Sequence, residues 1–206
     1  MRTYLVDLLE RLTLQERLVN SDDSVSWHAH REAERLRDLS LVDELDAFLA
    51  SDPRPRERAA AYFIIGSIGK NCGSPEGARM LIGYASKEKD KYALSSMLDR
   101  IAEIPKPAYI DLEALFALLN DKRWLVRHAA IRSLCNVSSS EPEERLLALL
   151  GSTSEPDDLT FCHATLNRIG TAKSLAALRS SLSSRKRDVR LSAAAAIEAI
   201  EARTVR

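Results

Sequence analysis

The histidines and cysteines are the residues best suited to hold a metal or act as nucleophiles, and their spacing favours neither role. His28 and His30 lie two positions apart on a predicted helix and so point in different directions, whereas a helical metal pair needs a spacing of four. The cysteines, Cys72, Cys135 and Cys162, form no paired motif, and their odd number favours a reducing compartment over a disulfide framework. We therefore predict no metal site.

Signatures of the common catalytic sites are absent from the sequence. It contains no Gly-rich phosphate loop, no Gly-x-Ser-x-Gly elbow and no His-Glu-x-x-His pair. We therefore predict a protein that is not an enzyme and needs no cofactor.

Charge and hydropathy narrow the choice of partner. The 206 residues carry 30 basic and 30 acidic side chains, and zero net charge disfavours a nucleic-acid partner, whose binding depends on many phosphate contacts. No apolar run approaches the roughly 18 to 20 residues of a membrane span. Asp7 and Glu10 in the first helix predict that this segment is no signal peptide. We expect a cytoplasmic protein that binds another protein.

A helical template that recurs five times must position any binding residues. It places small or apolar residues at +2, +3, +7 and +10 after a reference position, which falls at residues 58, 91, 127, 159 and 190. In the copy at Arg127 these are Ala129, Ala130, Leu134 and Val137. At about 100° per residue, +3, +7 and +10 share one narrow sector of a helix. A period of 31 to 36 residues with one helical hairpin each is typical of a solenoid.

Three stretches resemble the HEAT-repeat family in its short bacterial form. They are the turn with Asp121, Val126 and Arg127, the similar turn with Asp188, Val189 and Arg190, and the run RAAAYFIIGSIG from Arg58 to Gly69. The resemblance covers residues 41 to 203 and implies an all-α, right-handed α-solenoid whose second helices line the concave side. We predict one domain over residues 1–206. Residues 1–40 form an atypical pair of N-terminal capping helices, the first over residues 3–19 with Leu18 inward, and residues 41–206 form about five HEAT-like repeats.

Positions +1, +5, +8 and +12 face away from the predicted buried sector, and position +9 lies at the flank of this outward-facing set. On the resemblance to HEAT repeats they line the concave face, where aromatic and polar groups are typical of protein interfaces. An ordinary solvated helix face is the alternative. The candidate partner-binding residues are Phe63, Tyr92, Asp99, Arg100, His128, Arg132, Asn167 and Arg168.

Recurrent residues next to the turns have structural explanations. Arg58, Arg127 and Arg190 recur at the reference position, with aspartates in the turns before them, and we interpret them as helix-end and capping groups. Trp124, in the turn before Arg127, either covers the edge of the core or stands on the rim as an anchor for a partner.

These patterns lead to a ranked set of functions. The first is a non-catalytic scaffold or adaptor that grips a partner protein on its concave face, including an inhibitor or immunity-type protein. One alternative is a nucleic-acid-binding HEAT-like protein related to DNA glycosylases. The other is a modification factor similar to the bilin lyases, which also contain short HEAT repeats. The sequence leaves the oligomeric state open.

Overall fold

A computed structural model describes residues 1–17 and 20–204, and it is all-α, as predicted. Within these residues there is no strand, only an isolated parallel bridge between Lys106 and Val137. Short 3-10 turns cover Ser21–Asp23 and Ala172–Ser174. The helices are α1 (Thr3–Thr13), α2 (Val25–Ala33), α3 (Ser40–Leu49), α4 (Pro55–Cys72), α5 (Pro75–Ala85), α6 (Lys91–Glu103), α7 (Glu113–Leu118), α8 (Trp124–Ser133), α9 (Glu141–Ser152), α10 (Pro156–Ile169), α11 (Leu175–Ser181) and α12 (Arg187–Thr204).

The helices follow the predicted hairpin order. After the N-terminal pair α1 and α2 come five hairpins, α3–α4, α5–α6, α7–α8, α9–α10 and α11–α12, and each second helix contains one reference position of the template. The chain folds as two compact units, Met1–Pro105 with α1 to α6 and Lys106–Arg206 with α7 to α12. In the first unit α4 packs on α6, and in the second α10 packs on both α8 and α12. That the whole chain is a single domain stays a prediction.

The template predicts the core correctly at its central position. The +3 residue of every second helix is fully buried, at 0% exposure. These residues are Ala61, Leu94, Ala130, Cys162 and Ala193. Position +7 is buried in four of the five copies and half-buried at Ile197. Alanine at +3 in three of the copies lets neighbouring second helices approach closely. Burial of the larger side chains at +7 stabilises the stack by the hydrophobic effect.

Two helices end earlier than the sequence predicts. Helix α1 ends at Thr13. In the non-helical segment that follows, the Glu16 carboxylate accepts hydrogen bonds from the α2 backbone at Val25 (3.0 Å) and Ser26 (2.9 Å), which favours this path over a longer helix. Leu18, predicted to point inward, lies outside the described residues. Helix α8 ends at Ser133, so the prediction that it carries Val137 is wrong.

The end of α8 has a local cause. Asn136 adopts a positive φ of 58°, a left-handed conformation that ends a helix and that asparagine tolerates better than most residues. The chain then pairs with the segment at Lys106, whose backbone N–H donates to the Asn136 carbonyl at 2.7 Å. This pairing diverts Val137 from the helical path.

Glycine sets the distance between α4 and α6. A Cβ atom added at Gly66 would lie 2.8 Å from Arg100 Cγ and closer still to its Cβ. Gly69 is nearly as close to Ile104, since an added Cβ would lie 3.0 Å from its Cδ1. The side chain of Arg100 therefore lies directly on the backbone of α4, and its course depends on the absence of a side chain at Gly66.

Gly66→Ala should destabilise the protein by about 1–3 kcal/mol, because the new methyl group overpacks the contact between α4 and Arg100. Gly83→Ala is the matched control: Gly83 is also helical and its added Cβ meets nothing within 4 Å. That change should stabilise the protein by about 0.5–1 kcal/mol, the usual gain for alanine over glycine in a helix. Urea unfolding measures both, and a Gly66→Ala protein as stable as the wild type would contradict the close contact.

Candidate functional site

The recurrent arginines hold the turns, as their structural interpretation predicts. Each donates a hydrogen bond from Nη1 to a backbone carbonyl five or six residues earlier in the turn. The pairs are Arg58 with Pro53 (2.7 Å), Arg127 with Asp121 (2.8 Å) and Arg190 with Ser184 (2.8 Å). The same bond at three reference positions fixes the angle at which each second helix leaves its turn.

Two of these arginines also bind an acid of the following hairpin. Arg58 donates from Nε and Nη2 to Glu88 at 2.7 and 2.8 Å, and Arg127 Nε lies 2.9 Å from both oxygens of Asp158. Both carboxylates are buried. Burial by itself raises the pKa of Glu88, but the hydrogen bonds from Arg58, the Asp90 backbone and Tyr62 outweigh it, and the pKa lies below its ordinary value. These pairs join successive hairpins rather than forming a ligand site.

In the first unit, two of the candidate residues contact each other. The guanidinium of Arg100 lies 5.2 Å from the ring centroid of half-buried Phe63, a cation–π geometry. The His30 ring meets the same phenyl ring edge-on at 5.0 Å. Arg100 Nη1 is 3.4 Å from Glu103. Asp99, a third candidate, is partly buried one position before Arg100.

Tyr92 is an exposed aromatic residue of the first unit. Its side chain is 64% exposed at the start of α6, and the Lys91 ammonium lies 4.9 Å from its ring centroid. It lines an open groove of about 1010 Å³, while Phe63 lines an adjoining cavity of about 260 Å³. Because Ala59 and Ser96 border both, Tyr92 and Phe63 stand along one continuous depression.

In the second unit the structure stacks three rings. His128 is 4% exposed, with its ring 4.3 Å from Phe161 in a stacked geometry and 5.7 Å from Trp124. Its Nε2 lies 2.8 Å from Asp158, and because a carboxylate only accepts, Nε2 carries the hydrogen. Arg132 lies 5.1 Å from the Phe161 centroid. His128, predicted on an open face, is therefore covered by its neighbours.

Trp124 takes the rim position of its two alternatives. Its side chain is 63% exposed at the first residue of α8, with one side towards His128. Phe161 is not among the predicted partner-binding residues, because it occupies position +2, which the template assigns to the core. The available signal is its size, since the +2 residues of the other copies are Ala60, Ala93, Ala129 and Ser192.

Asn167 and Arg168 lie apart from the stacked rings, in a polar cavity of about 760 Å³. Asn167 donates from Nδ2 to the Ala195 carbonyl at 2.9 Å, so its amide joins α10 to α12. Arg168 is exposed. Arg203, another residue of the same cavity, donates to the carbonyls of Asn167 (2.6 Å) and Gly170 (2.9 Å).

Several buried ionisable groups play structural roles. His163 is fully buried between the hydroxyls of Ser192 (2.9 Å) and Ser181 (3.2 Å), and burial lowers its pKa to about 4 against a weaker effect of the Val189 backbone. Burial raises the pKa of the neighbouring Cys162 thiol to about 12, so this cysteine is a poor nucleophile.

Lys106 is also fully buried, and burial, with a smaller contribution from the nearby Arg168 charge, lowers its pKa to about 7. The sequence pattern does not predict it, because lysine is rarely buried. In residues 1–17 and 20–204, His, Cys, Asp and Glu form no group of three or more that could hold a metal ion. None of the helices in that range is long and apolar enough to cross a membrane.

Comparisons with known proteins support a helical-repeat fold. Residues 112–198 match the family model described as HEAT repeats. The chain is similar to an engineered protein solved by the Northeast Structural Genomics Consortium, with a TM-score of 0.53 and 18% identity over 95% of this chain and 99% of that one. It is also similar to a designed armadillo repeat protein, with a TM-score of 0.52 and 16% identity over 94% and 98%. No curated protein matches in sequence.

Glu88→Gln should cost about 2–3 kcal/mol of unfolding free energy, because it leaves the guanidinium of Arg58 without its buried counter-charge. Glu76→Gln is the control, since Glu76 pairs with Arg79 on the surface and its loss should cost less than about 1 kcal/mol. Chemical denaturation at neutral pH compares the two. Equal losses would show that the pair between Arg58 and Glu88 does not join the hairpins.

His163 should make the protein sensitive to acid between pH 6.5 and 4. In that window the unfolded chain binds a proton at His163 and the folded chain, with its pKa near 4, does not, so the unfolding free energy falls as the pH falls. His163→Gln should flatten this dependence in urea titrations, while the change of an exposed histidine, His28→Gln, should leave it unaltered. Parallel pH profiles for wild type and His163→Gln would exclude the effect.

Proposed function

Because HEAT repeats occupy residues 112–198 of a chain built from helical hairpins, we propose that this protein is a non-catalytic scaffold or adaptor that binds another protein. The partner contacts the face formed by the second helices, which is the concave face expected of such repeats. An inhibitor that neutralises its partner is one form of this function. The candidate residues contribute unequally, since some are exposed and others are committed to packing.

The observation that carries the proposal is one exposed aromatic residue at the start of a second helix in each unit. Tyr92 begins the exposed face of α6 and Trp124 that of α8, and both are more than 60% exposed. Large aromatic side chains bury a large apolar area when a partner binds, and they contribute much of the binding energy at interfaces. Both stand on helices rather than on loops, so little conformational entropy is lost when a partner orders them.

The charges of the same helices favour a protein partner over nucleic acid. Arg58 and Arg127 are neutralised by buried carboxylates, and Arg100 faces Glu103. Such pairs leave few cations to replace the counterions of a phosphate backbone, which is the main source of affinity for DNA or RNA. Arg100 and Arg132 lie instead over phenyl rings, where they support the packing.

Affinity purification with a Tyr92→Ala/Trp124→Ala double variant tests the proposal. If each side chain anchors the partner, each loss costs about 2 kcal/mol or more, and recovery of the partner should fall more than tenfold. The partner is identified by mass spectrometry from cells that produce the protein.

Tyr109→Ala/Trp27→Ala is the matched control, because it removes the same side-chain types from exposed positions outside the second helices. It should retain the partner, and circular dichroism checks that both variants keep their helices. The proposal is wrong if the wild type recovers no stoichiometric partner, and the assigned face is wrong if the two variants recover it equally.

A further inference from the structure

An open groove in the first unit combines apolar walls with an arginine whose side chain forms no ion pair among residues 1–17 and 20–204. It lies between the segment after α1 and the starts of α4 and α6, with a volume of about 1010 Å³ and the cavity at Phe63 adjoining it. We call it the N-terminal groove and define it by Leu14, Arg56, Ala59, Tyr92 and Ser96. All its elements belong to the unit Met1–Pro105.

The walls of the groove suit an extended polypeptide. Tyr92 and Leu14 are exposed apolar groups, at 64% and 48%, and both line it. Ala59 and Ser96 are small, so a backbone can approach the helices between them. Exposed apolar side chains with small residues between them provide pockets for the side chains of a bound segment.

The formal charges of the residues that line the groove sum to zero, and most of these side chains are already engaged by neighbouring groups. Four charged residues line it, and two of them neutralise each other, since Arg54 donates to Glu57 from Nη2 and Nε at 2.6 and 3.0 Å. Asp90 Oδ1 caps α6, where it accepts the backbone N–H groups of Tyr92 and Ala93 at 3.0 and 2.9 Å. The positive end of the α6 dipole offsets its charge.

Arg56 is the fourth charged residue and the exception. Its side chain is exposed and, among residues 1–17 and 20–204, no hydrogen bond or ion pair joins its guanidinium to another group. The ammonium of Lys91 lies next to the ring of Tyr92, a residue that lines the groove. A guanidinium in this setting matches a carboxylate, which it can bind through two parallel hydrogen bonds.

We infer that the N-terminal groove binds an extended segment of a partner protein in which an acidic residue lies beside an apolar or aromatic one. The acid pairs with Arg56, and the apolar side chain packs between Tyr92 and Leu14. The inference rests on the proposed function and adds the chemistry of the partner to it. Basic segments and uncharged segments lack a carboxylate that could pair with the Arg56 guanidinium.

Selection from a phage-displayed library of random dodecapeptides, with the full chain immobilised, tests the inference. Wild-type protein should enrich peptides that contain an acidic residue next to an apolar one. A synthetic peptide of the enriched sequence should then bind in a fluorescence-polarisation assay, more weakly as the salt concentration rises. Enrichment of basic or uncharged peptides, or no enrichment, would overturn the inference.

Charge reversal gives the decisive comparison. Arg56→Glu should weaken binding of the synthetic peptide at least tenfold and shift the selection towards basic peptides. The matched control is Arg185→Glu, at another exposed arginine that lies in the turn before α12, and it should change affinity less than twofold. Arg56→Glu adds an acid to the first turn of α4, which helices tolerate well, so the fold should be kept. Equal binding by Arg56→Glu and wild type would also overturn the inference.

The two proposals fail separately. If the cellular partner is lost with Trp124→Ala and retained with Arg56→Glu, the groove is not its site and the scaffold function stands. If neither a cellular partner nor an acidic peptide binds the wild type, both proposals fail. If the partner is lost with Arg56→Glu and the acidic peptide competes for it, the groove is its docking site.

Discussion

The arrangement of successive hairpins depends on an arginine at the start of a second helix. At Arg58 and Arg127 the guanidinium bonds the carbonyl of its own turn on one side and a buried carboxylate of the next hairpin on the other. A planar group with five donors in fixed directions can do this, whereas lysine, with one point charge, cannot fix both. Removal of either partner leaves an uncompensated charge in a poorly hydrated environment. The ion pair therefore lowers the free energy of one arrangement of neighbouring hairpins relative to the others.

The sequence predicts the part of this structure that follows from helical periodicity. The +3 position is buried in every copy because the face of a helix is set by residue spacing alone. The arginines recur for the same reason, and their structural role follows from their place at a helix start. The acids that bind them do not recur at one spacing, since Glu88 lies three residues before a reference position and Asp158 one residue before the next. No periodic template finds such partners, because the length and path of each turn decide which acid reaches the guanidinium.

The candidate site is predicted less well than the core, and the reason is again local. Tyr92 is exposed as expected, but His128 at the same +1 position is covered by Trp124 and Phe161, one from the start of the same helix and one from the next hairpin. Whether a +1 residue is open therefore depends on the size of its neighbours in space, which the template does not contain. The N-terminal groove was not foreseen either. Its wall at Leu14 exists because α1 ends at Thr13 while Glu16 caps α2, a competition that periodicity does not describe.

The ionisable groups divide by burial into those that hold the fold and those available to a partner. Glu88, Asp158 and His163 are buried with hydrogen-bond partners, so their polar interactions stabilise the fold and are not available to a binding partner. Arg56 is exposed at the surface, and it lies on the first turn of an 18-residue helix anchored by the Arg58 pair two residues later. The hairpin already fixes the backbone at Arg56, so binding of a partner there orders only the arginine side chain on this protein. The same bonds that hold the repeats together thus prepare the surface that we propose for recognition.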